Sequence, residues 1–384
     1  MANTLTGLIP TIYSSLDIVL RELTGFIPAV MMDANGEQAA KDQTIAWPVV
    51  PAQSSTNITP AATGPDPSGQ TTGPESMTIS KAKSVTFAWN GEEQKSLGGL
   101  YNKILTDQFA QSMRTLVNEV EADLAALYKY ASRAYGVAGT TPFGSDLSEA
   151  AYVRKILADN GAPMSDLQMV FDTAAGAKLR TLAQLTKANE AGADDTLRRG
   201  VLLDVHGFKM RESAQVQTHT KGTGTGFKVD LTAGYAAGET DIHADTGLGT
   251  ILAGDVIYNI KTGRDGNKYL VVTGDTGASG ADVDIVLANP GLMAAWENND
   301  DLVIADDYAA NMAFARSAIA LMARVPAMPD GGDAADDVTV VTDPQTGLSF
   351  QVAMYRQYRQ VSFEVGLAWG VKAVKPEAIA LLLG

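Results

Sequence analysis

The sequence predicts an α+β protein that is extended and built around several small cores. Its 384 residues are 45% hydrophobic but only 7% aromatic, and 37 of them are glycine, which favours thin layers with many turns over one thick core. Stretches with helical apolar spacing alternate along the chain with stretches whose apolar residues recur at every second position, as in strands. Between residues 218 and 305 short alternating runs rich in Gly and Asp interrupt the helical pattern, which predicts a small inserted all-β domain.

Charge and composition exclude several classes of function. The formal net charge is −15 with only 29 Lys and Arg, so most of the surface repels nucleic acid and anionic membranes, and sequence-specific nucleic-acid binding is not expected. The absence of cysteine excludes disulfides and thiol nucleophiles. No basic residue precedes the mildly apolar N-terminus, and no apolar run approaches the roughly 20 residues of a membrane-spanning helix. We therefore expect neither a signal peptide nor a membrane partner.

Residues 1–45 are interpreted as an N-terminal arm and residues 46–95 as an extended β loop. In the arm, helical apolar spacing predicts a short amphipathic helix, carried by Ile12, Leu16, Val19, Leu20 and Leu23. In the loop, strand-like runs at 45–50 and 85–89 flank a middle rich in Pro, Gly, Ser and Thr, which predicts a two-stranded excursion with a mobile tip. Because an isolated hairpin is only marginally stable, we expect it to lie on another surface.

A long helix is predicted from Ser96 to Tyr135, at the start of an α/β region that covers residues 96–217. Its apolar stripe recurs every three or four residues, at Leu105, Phe109, Met113, Leu116, Val120, Leu124 and Leu127. A helix of that length spans roughly 50 to 60 Å. Two interpretations remain open, an ordinary core helix or the backbone of an elongated subunit.

Helix and strand patterns alternate in the rest of this region. Ser148 to Asn160 predicts a helix that Gly161 ends, and Leu167 to Asp172 predicts a short strand. A second helix is expected from Gly176 to Leu185 and a further strand around residues 201–210, with a polar loop at 189–200 between them.

The inserted β domain is expected at residues 218–305, after a flexible linker from Lys221 to Gly226. Its strands are predicted from short alternating runs, at 227–231, 255–260, 269–272 and 283–287. The turn residues Arg264 to Asn267 predict a hairpin between the second and third of these runs.

Residues 306–384 are expected to contain a helix and then closing strands. Asp306 to Arg324 begins with acidic residues and ends before Val325-Pro326, which are helix start and stop signals. From Val361 to Ala368 apolar and small or polar residues alternate, and Ile379 to Leu383 is a continuous apolar run, so we expect buried strands.

No catalytic or cofactor-binding constellation is visible. His206, His219 and His243 are too scattered to form a metal set and are interpreted as solvated or internally satisfied. The Gly-rich run at 221–226 lacks the Lys-Ser/Thr ending of a phosphate loop, and the acidic clusters lack calcium-loop spacing. We therefore predict a protein that is not an enzyme, with no catalytic residue, no cofactor and no metal.

Three stretches resemble the major capsid proteins of tailed double-stranded DNA bacteriophages. Residues 311–321, NMAFARSAIAL, resemble the family helix N-L-A-F-H-R-x-A-F-A-L. Residues 370–378 resemble the final strand and its Lys-Pro-Glu-Ala turn, and residues 207–213 resemble the strand G-F-x-V-x-x-S. The resemblance implies the Hong Kong 97-like fold of N-arm, extended loop, spine helix, peripheral domain and axial domain. The position of the β insert is similar to that in coat proteins of the short-tailed Salmonella podovirus group.

The resemblance implies a structural function. Family members self-assemble as hexamers and pentamers into an icosahedral head shell that encloses the genome, with a scaffold protein and a portal during assembly, procapsid maturation, and in some cases a decoration protein. The implied location is the virion capsid, assembled in the host bacterial cytoplasm.

Eight residues are predicted to contact neighbouring subunits. They are Trp47, Pro48, Phe87 and Trp89 of the extended loop and Tyr355, Arg356, Tyr358 and Arg359 near the closing strands. The alternative function is a phage tail or adhesin-like binding protein in which the β insert recognises a ligand.

Overall fold

The computed structural model describes residues 24–49, 57–58, 60, 73–186, 202, 204–261, 263–277, 282–343 and 346–384. The amphipathic helix predicted within residues 12–23, most of the Pro- and Gly-rich middle of the extended loop, and the polar loop predicted at 189–200 lie outside these residues.

The described part of the chain contains α-helices, single turns of 3₁₀ helix and many strands. The α-helices are α1 (Gly91–Leu97), α2 (Tyr101–Ala125), α3 (Ser148–Asp159), α4 (Thr173–Thr181) and α5 (Ala183–Thr186). The 3₁₀ helices are Ile27–Ala29, Gly98–Leu100, Ala126–Tyr130, Arg316–Ala318 and Pro376–Ala378.

Strands form most of the remaining structure. The first seven are β1 (Met31–Ala39), β2 (Thr44–Val49), β3 (Gly73–Thr78), β4 (Lys81–Asn90), β5 (Arg133–Tyr135), β6 (Leu167–Phe171) and β7 (Phe208–Glu212). Nine follow between residues 218 and 304: β8 (Thr218–His219), β9 (Lys228–Val229), β10 (Asp241–Asp245), β11 (Gly249–Thr250), β12 (Val256–Asn259), β13 (Lys268–Thr273), β14 (Thr276–Gly277), β15 (Val283–Leu287) and β16 (Leu302–Ile304). The last six are β17 (Tyr308–Ala315), β18 (Ile319–Pro326), β19 (Asp337–Thr342), β20 (Ser349–Gln357), β21 (Gln360–Ala373) and β22 (Ile379–Leu383).

The predicted long helix exists, but it is shorter than residues 96–135. Helix α2 has 25 residues, about 37 Å at 1.5 Å per residue. It does not continue backwards into α1 because Gly98, which ends α1, has a φ of 53°, far from the α-helical value. At its other end the backbone tightens into a 3₁₀ turn and then enters β5. The predicted apolar stripe is buried along α2, as expected.

Helices α3 and α4 confirm the α/β pattern with small shifts. Helix α3 ends at Asp159, and Gly161 follows with a φ of 72°, which is the conformation expected of a residue that ends a helix. Helix α4 begins at Thr173, earlier than the predicted Gly176, because the Asp172 side chain accepts a hydrogen bond from the Ala175 N–H and caps it. Leu182 is extended and separates α4 from α5.

The prediction of a helix from Asp306 to Arg324 is wrong: this segment forms β17 and β18. Its Ala-, Met- and Leu-rich composition favours a helix locally, but seven of the eight β17 residues are buried. Strand β17 lies between β6 and β22, and β18 lies between β1 and β21. A central strand with two covered faces is apolar throughout, so its sequence cannot be told from that of a buried helix.

A six-stranded sheet carries α2 on one face. Its order is β1-β18-β21-β20-β19, with β4 paired to β21. Thus residues 31–39, expected to belong to the arm, form a strand of this sheet. The predicted pairing of the two strand-like ends of the extended loop is also wrong, since β2 pairs with β3, whereas β4 pairs with β21 from Asn90 to Lys81.

The second large sheet has twelve strands. Its main path is β7-β6-β17-β22-β5-β13-β15-β10-β9. Strand β22 lies in the middle, antiparallel to β17 and parallel to β5, and all five of its residues are buried. The predicted buried closing strands are therefore confirmed, with Pro376 in the 3₁₀ turn before β22.

The segment from β8 to β16 has a hydrophobic cluster of its own, around Phe227, Ile242, Ile285 and Trp296. The predicted hairpin between β12 and β13 is present. Strand β13 also pairs with β5, and β8 pairs with β17, so this segment is continuous with the larger sheet. The expected linker at 221–226 is packed: a side chain at Gly222 would lie 2.1 Å from the Thr250 carbonyl oxygen. It is a tight crossing and not a flexible connection.

Candidate assembly surface

The β2–β3 hairpin lies with its base on the six-stranded sheet. Lys372 of β21 donates to the Ser76 carbonyl oxygen at 2.7 Å and pairs with Glu75 at 3.2 Å. Beneath it, a Cβ at Gly370 would lie 2.2 Å from the Thr78 carbonyl oxygen, so only glycine allows the hairpin to approach this closely. Met77 and Ile79 are buried against Met322 and Ala368. The base of the hairpin is therefore fixed by both charge and shape.

Two of the four predicted loop anchors pack within their own chain. The Phe87 ring lies 5.1 Å from the Phe109 ring in an edge-on arrangement, and Trp89 Nε1 donates to Gln108 Oε1 at 2.6 Å. Both Phe109 and Gln108 belong to α2. Phe87 and Trp89 hold β4 against the long helix, and a contact to a neighbouring subunit through them stays a prediction.

Trp47 and Pro48 lie in β2, where their backbones face Glu75 and Pro74 of β3. They are near the end of the described hairpin, far along the strand from its base at Thr44 and Thr78. They belong to the two-stranded sheet, whereas Phe87 and Trp89 belong to β4 of the six-stranded sheet.

The other four predicted residues lie at the end of the β20–β21 hairpin. Gln357 pairs with Gln360, so Tyr358 and Arg359 form a two-residue turn. Tyr358 is 92% exposed, and Arg359 has a φ of 58°, a conformation that glycine or asparagine usually occupies. Such a turn exposes its side chains on the subunit surface, where a second molecule can contact them.

Tyr355 is held by an acidic loop of its own chain. Its hydroxyl group lies 2.8 Å from Asp333 Oδ2 and 3.0 Å from Glu364 Oε2. Partial burial and then these two carboxylates raise the pKa of Tyr355, because both disfavour the phenolate. The Arg356 N–H donates to Asp336 Oδ2 at 2.6 Å. These contacts fix the loop of residues 327–336 above β20.

One anchor had no signal in the sequence. Glu121, on α2, is fully buried, and its two carboxylate oxygens accept hydrogen bonds from the Ile27 and Phe26 N–H groups at 2.8 and 3.0 Å. Ser213 Oγ donates to the same carboxylate at 3.0 Å. Desolvation raises the pKa of Glu121, and these hydrogen bonds partly offset the effect. Glu121 therefore fixes the backbone at Phe26 and Ile27 against α2.

The histidines are placed as predicted, solvated or satisfied. His206 and His243 are exposed. His219 is buried between the Tyr128 hydroxyl group at 2.8 Å and Asp255 Oδ1 at 2.7 Å. Burial and the Asp255 charge raise the pKa of Tyr128 to about 12. These three side chains have the composition of a proton relay, but they are buried. They join β8 to the 3₁₀ turn Ala126–Tyr130.

The described residues contain neither a membrane-spanning helix nor a metal-binding group. No helix there has both the length and the apolar character needed to cross a membrane. No group of three or more His, Asp or Glu side chains in those residues is arranged to hold a metal ion.

Comparison with known proteins gives structural likeness only. No family model and no curated protein matches the sequence. The structure is similar to the capsid of cyanophage P-SCSP1u (TM-score 0.49, 10% identity, 94% of this chain and 88% of that chain). It is also similar to the mature capsid of bacteriophage PhiM1 (0.46, 10%, 94% and 86%) and to a virus-like particle from Pyrococcus furiosus (0.46, 9%, 97% and 98%).

All three TM-scores lie below 0.5, so the evidence on the function of this chain comes from its own contacts.

Proposed function

We propose that the chain is the major capsid subunit of a tailed bacteriophage, with a Hong Kong 97-like fold. In this assignment residues 1–45 are the N-arm, 46–95 the extended loop, 96–217 the spine helix with the peripheral and axial α/β region, 218–305 an inserted β domain, and 306–384 the axial strands. The subunit forms hexamers and pentamers of an icosahedral shell in the host cytoplasm and remains in the virion.

The observation that carries this proposal is the β2–β3 hairpin. Its strands pair with each other and with no other described strand. A two-stranded ribbon is marginally stable alone, yet the base of this one is fixed by Lys372 and Gly370. An element that is fixed at its base and has no further sheet partner among the described strands suits a contact with a second subunit. Trp47 and Pro48 are then the residues that meet the neighbour.

The surface charge supports a container. A net charge of −15 keeps the interior from binding the genome tightly, because each phosphate contact adds affinity that resists movement of the DNA. Closed symmetry lets many modest contacts stabilise a shell. A scaffold protein and a portal are the expected partners during assembly, and a decoration protein is a further candidate partner for the β domain.

The test is assembly of the purified full-length chain, alone and with the scaffold protein of the same phage. Negative-stain electron microscopy and sedimentation velocity should show closed shells or rings of five and six subunits. A chain that remains monomeric under every assembly condition contradicts the proposal.

A further inference from the structure

We propose that the acidic loop of one copy, residues 330–337, docks into a basic cleft beside the β20–β21 turn of a second copy. This inference rests on the proposed function, because it requires copies that assemble. It assigns an occupant to the surface around Tyr358 and Arg359.

The cleft is a cavity of about 840 Å³ where the end of β4, the start of α1 and the turn meet. It is lined by Asn90, Gly91, Glu92, Lys95, Ser96 and Arg359. The Gly91 N–H donates to the Arg359 carbonyl oxygen at 3.2 Å, which fixes the turn beside the helix. Two cations and one anion line the cleft, so its formal charge is +1, in a chain whose total is −15.

Neither cation of the cleft pairs with a described residue of its own subunit. Lys95 and Arg359 are exposed, and neither forms an ion pair with another described residue. Asn90 and Glu93 satisfy the first N–H groups of α1 through a capping box, so the helix needs no charge from the cleft. The two cations are therefore available to a partner.

Arg359 occupies a position whose backbone disfavours it. Its φ of 58° is strained for a residue with a side chain, whereas glycine adopts it freely. Its carbonyl group bonds Gly91, but that contact needs no guanidinium. Backbone strain that no hydrogen bond or ion pair of the side chain to a described residue offsets points to a role for that side chain outside the subunit.

The acidic loop carries the charge opposite to that of the cleft. Asp330, Asp333, Asp336 and Asp337 bring four carboxylates within eight residues. Asp333 and Asp336 bind Tyr355 and Arg356, which fixes the loop at the same end of the sheet as the cleft. Asp330 is exposed, and no hydrogen bond or ion pair joins its carboxylate to the described residues. The loop is thus anchored at one end and presents a free charge.

The neighbouring position of loop and cleft favours a second copy as the occupant. A surface that carries a cation cleft next to an anion loop is complementary to itself, which is what contacts between identical subunits require. Subunits of charge −15 repel each other, so a local match of opposite charges guides the approach. Tyr358, 92% exposed beside Arg359, adds an aromatic side chain of the type that dominates interface energies.

The experiment exchanges the two charges. Arg359→Asp alone and Asp330→Arg alone should each raise the protein concentration needed for half-assembly by about tenfold, and the double variant should recover most of that loss. Lys103→Asp is the matched control, because Lys103 is exposed on α2 and the change in charge is the same. Sedimentation velocity at fixed ionic strength gives the assembled fraction.

Arg359→Gly separates folding from docking. It relieves the positive φ, so its thermal midpoint should equal or exceed that of the wild type, while its assembly is weakened about as much as by loss of one interface charge. Wild-type particles together with a double variant that assembles no better than the single variants contradict the docking alone. A wild-type chain that forms no particle contradicts the proposed function, and the docking with it.

Discussion

Glu121 Oε2 accepts a hydrogen bond from the backbone N–H of Phe26 at 3.0 Å, across 95 residues of sequence. The other oxygen of the same carboxylate accepts from the Ile27 N–H. One side chain of the long helix therefore satisfies two successive buried N–H groups and fixes Phe26 and Ile27 against that helix.

Glu121→Gln should destabilise the subunit by about 1–3 kcal/mol, because the amide retains one acceptor oxygen and leaves one buried N–H without a partner. Urea unfolding monitored by circular dichroism measures this loss. Asp107→Asn is the control, since Asp107 is exposed on the same helix and its replacement should change little. Equal stability of the two variants would show that the carboxylate is not an anchor.

The contribution of Glu121 should also depend on pH. Burial raises its pKa above the ordinary 4.5, so the folded chain binds a proton more readily than the unfolded chain. The stability that this proton contributes is fully present below the pKa of the unfolded state and is lost as the pH rises through the higher pKa of the folded state. Unfolding free energies measured from pH 4 upwards should therefore fall more steeply for the wild type than for Glu121→Gln.

Truncation after Val374 should abolish folding, because it removes β22. That strand lies between β17 and β5 and is buried at every residue. Its loss removes one neighbouring strand from β17 and one from β5 and opens the core. Leu381→Ala, which keeps the strand, should cost only about 2–5 kcal/mol. Soluble yield and far-ultraviolet circular dichroism distinguish the two, and a truncated chain with native-like spectra would contradict the central position of β22.

Gly370→Ala should displace the base of the β2–β3 hairpin. The added Cβ would lie 2.2 Å from the Thr78 carbonyl oxygen, and overpacking of this kind typically costs about 1–3 kcal/mol. Limited proteolysis should cut residues 73–80 faster than in the wild type. Gly36→Ala is the control, because its Cβ would meet nothing within 4 Å. Unchanged proteolysis of Gly370→Ala would show that the hairpin does not depend on this contact.

Asp255→Ala should loosen the junction between the β8–β16 segment and the helix. Asp255 is fully buried and accepts hydrogen bonds from the Gly222 and Leu252 N–H groups as well as contacting His219. Its removal leaves several buried polar groups without partners, at about 1–3 kcal/mol each. Hydrogen exchange should rise at Gly222 and Leu252, whereas the exposed variant Asp230→Ala should leave exchange at both unchanged. If exchange at these amides stays at wild-type rates, Asp255 is not the joining group.

Local sequence patterns predicted those elements that are buried on one face only or that follow a turn signal. The apolar stripe of α2 covers one face of the helix and the β12–β13 hairpin follows a turn signal, so both were visible in the sequence. Strand β17 is covered on both faces, and its period is lost. The wrong helix at 306–324 follows from this, since Ala and Met favour helices where packing does not decide.

The candidate site was predictable only in part. Tyr358 and Arg359 were singled out in the sequence, and both are exposed in the turn between β20 and β21. The anchors Glu121, Gly370 and Lys372 were not predicted, because they act through contacts with residues far away in the sequence. A single carboxylate on a helix or a single glycine in a strand has no local sign of such a contact. Phe87 and Trp89 pack on α2 of their own subunit, and their contact with a neighbour stays a prediction.

A cryo-electron-microscopy reconstruction of particles assembled from this chain would show directly where the β2–β3 hairpin lies. We expect a closed shell of hexamers and pentamers in which the β2–β3 hairpin of each subunit lies on a neighbouring subunit. Particles in which that hairpin contacts only its own chain, or a preparation that contains monomers alone, would contradict it.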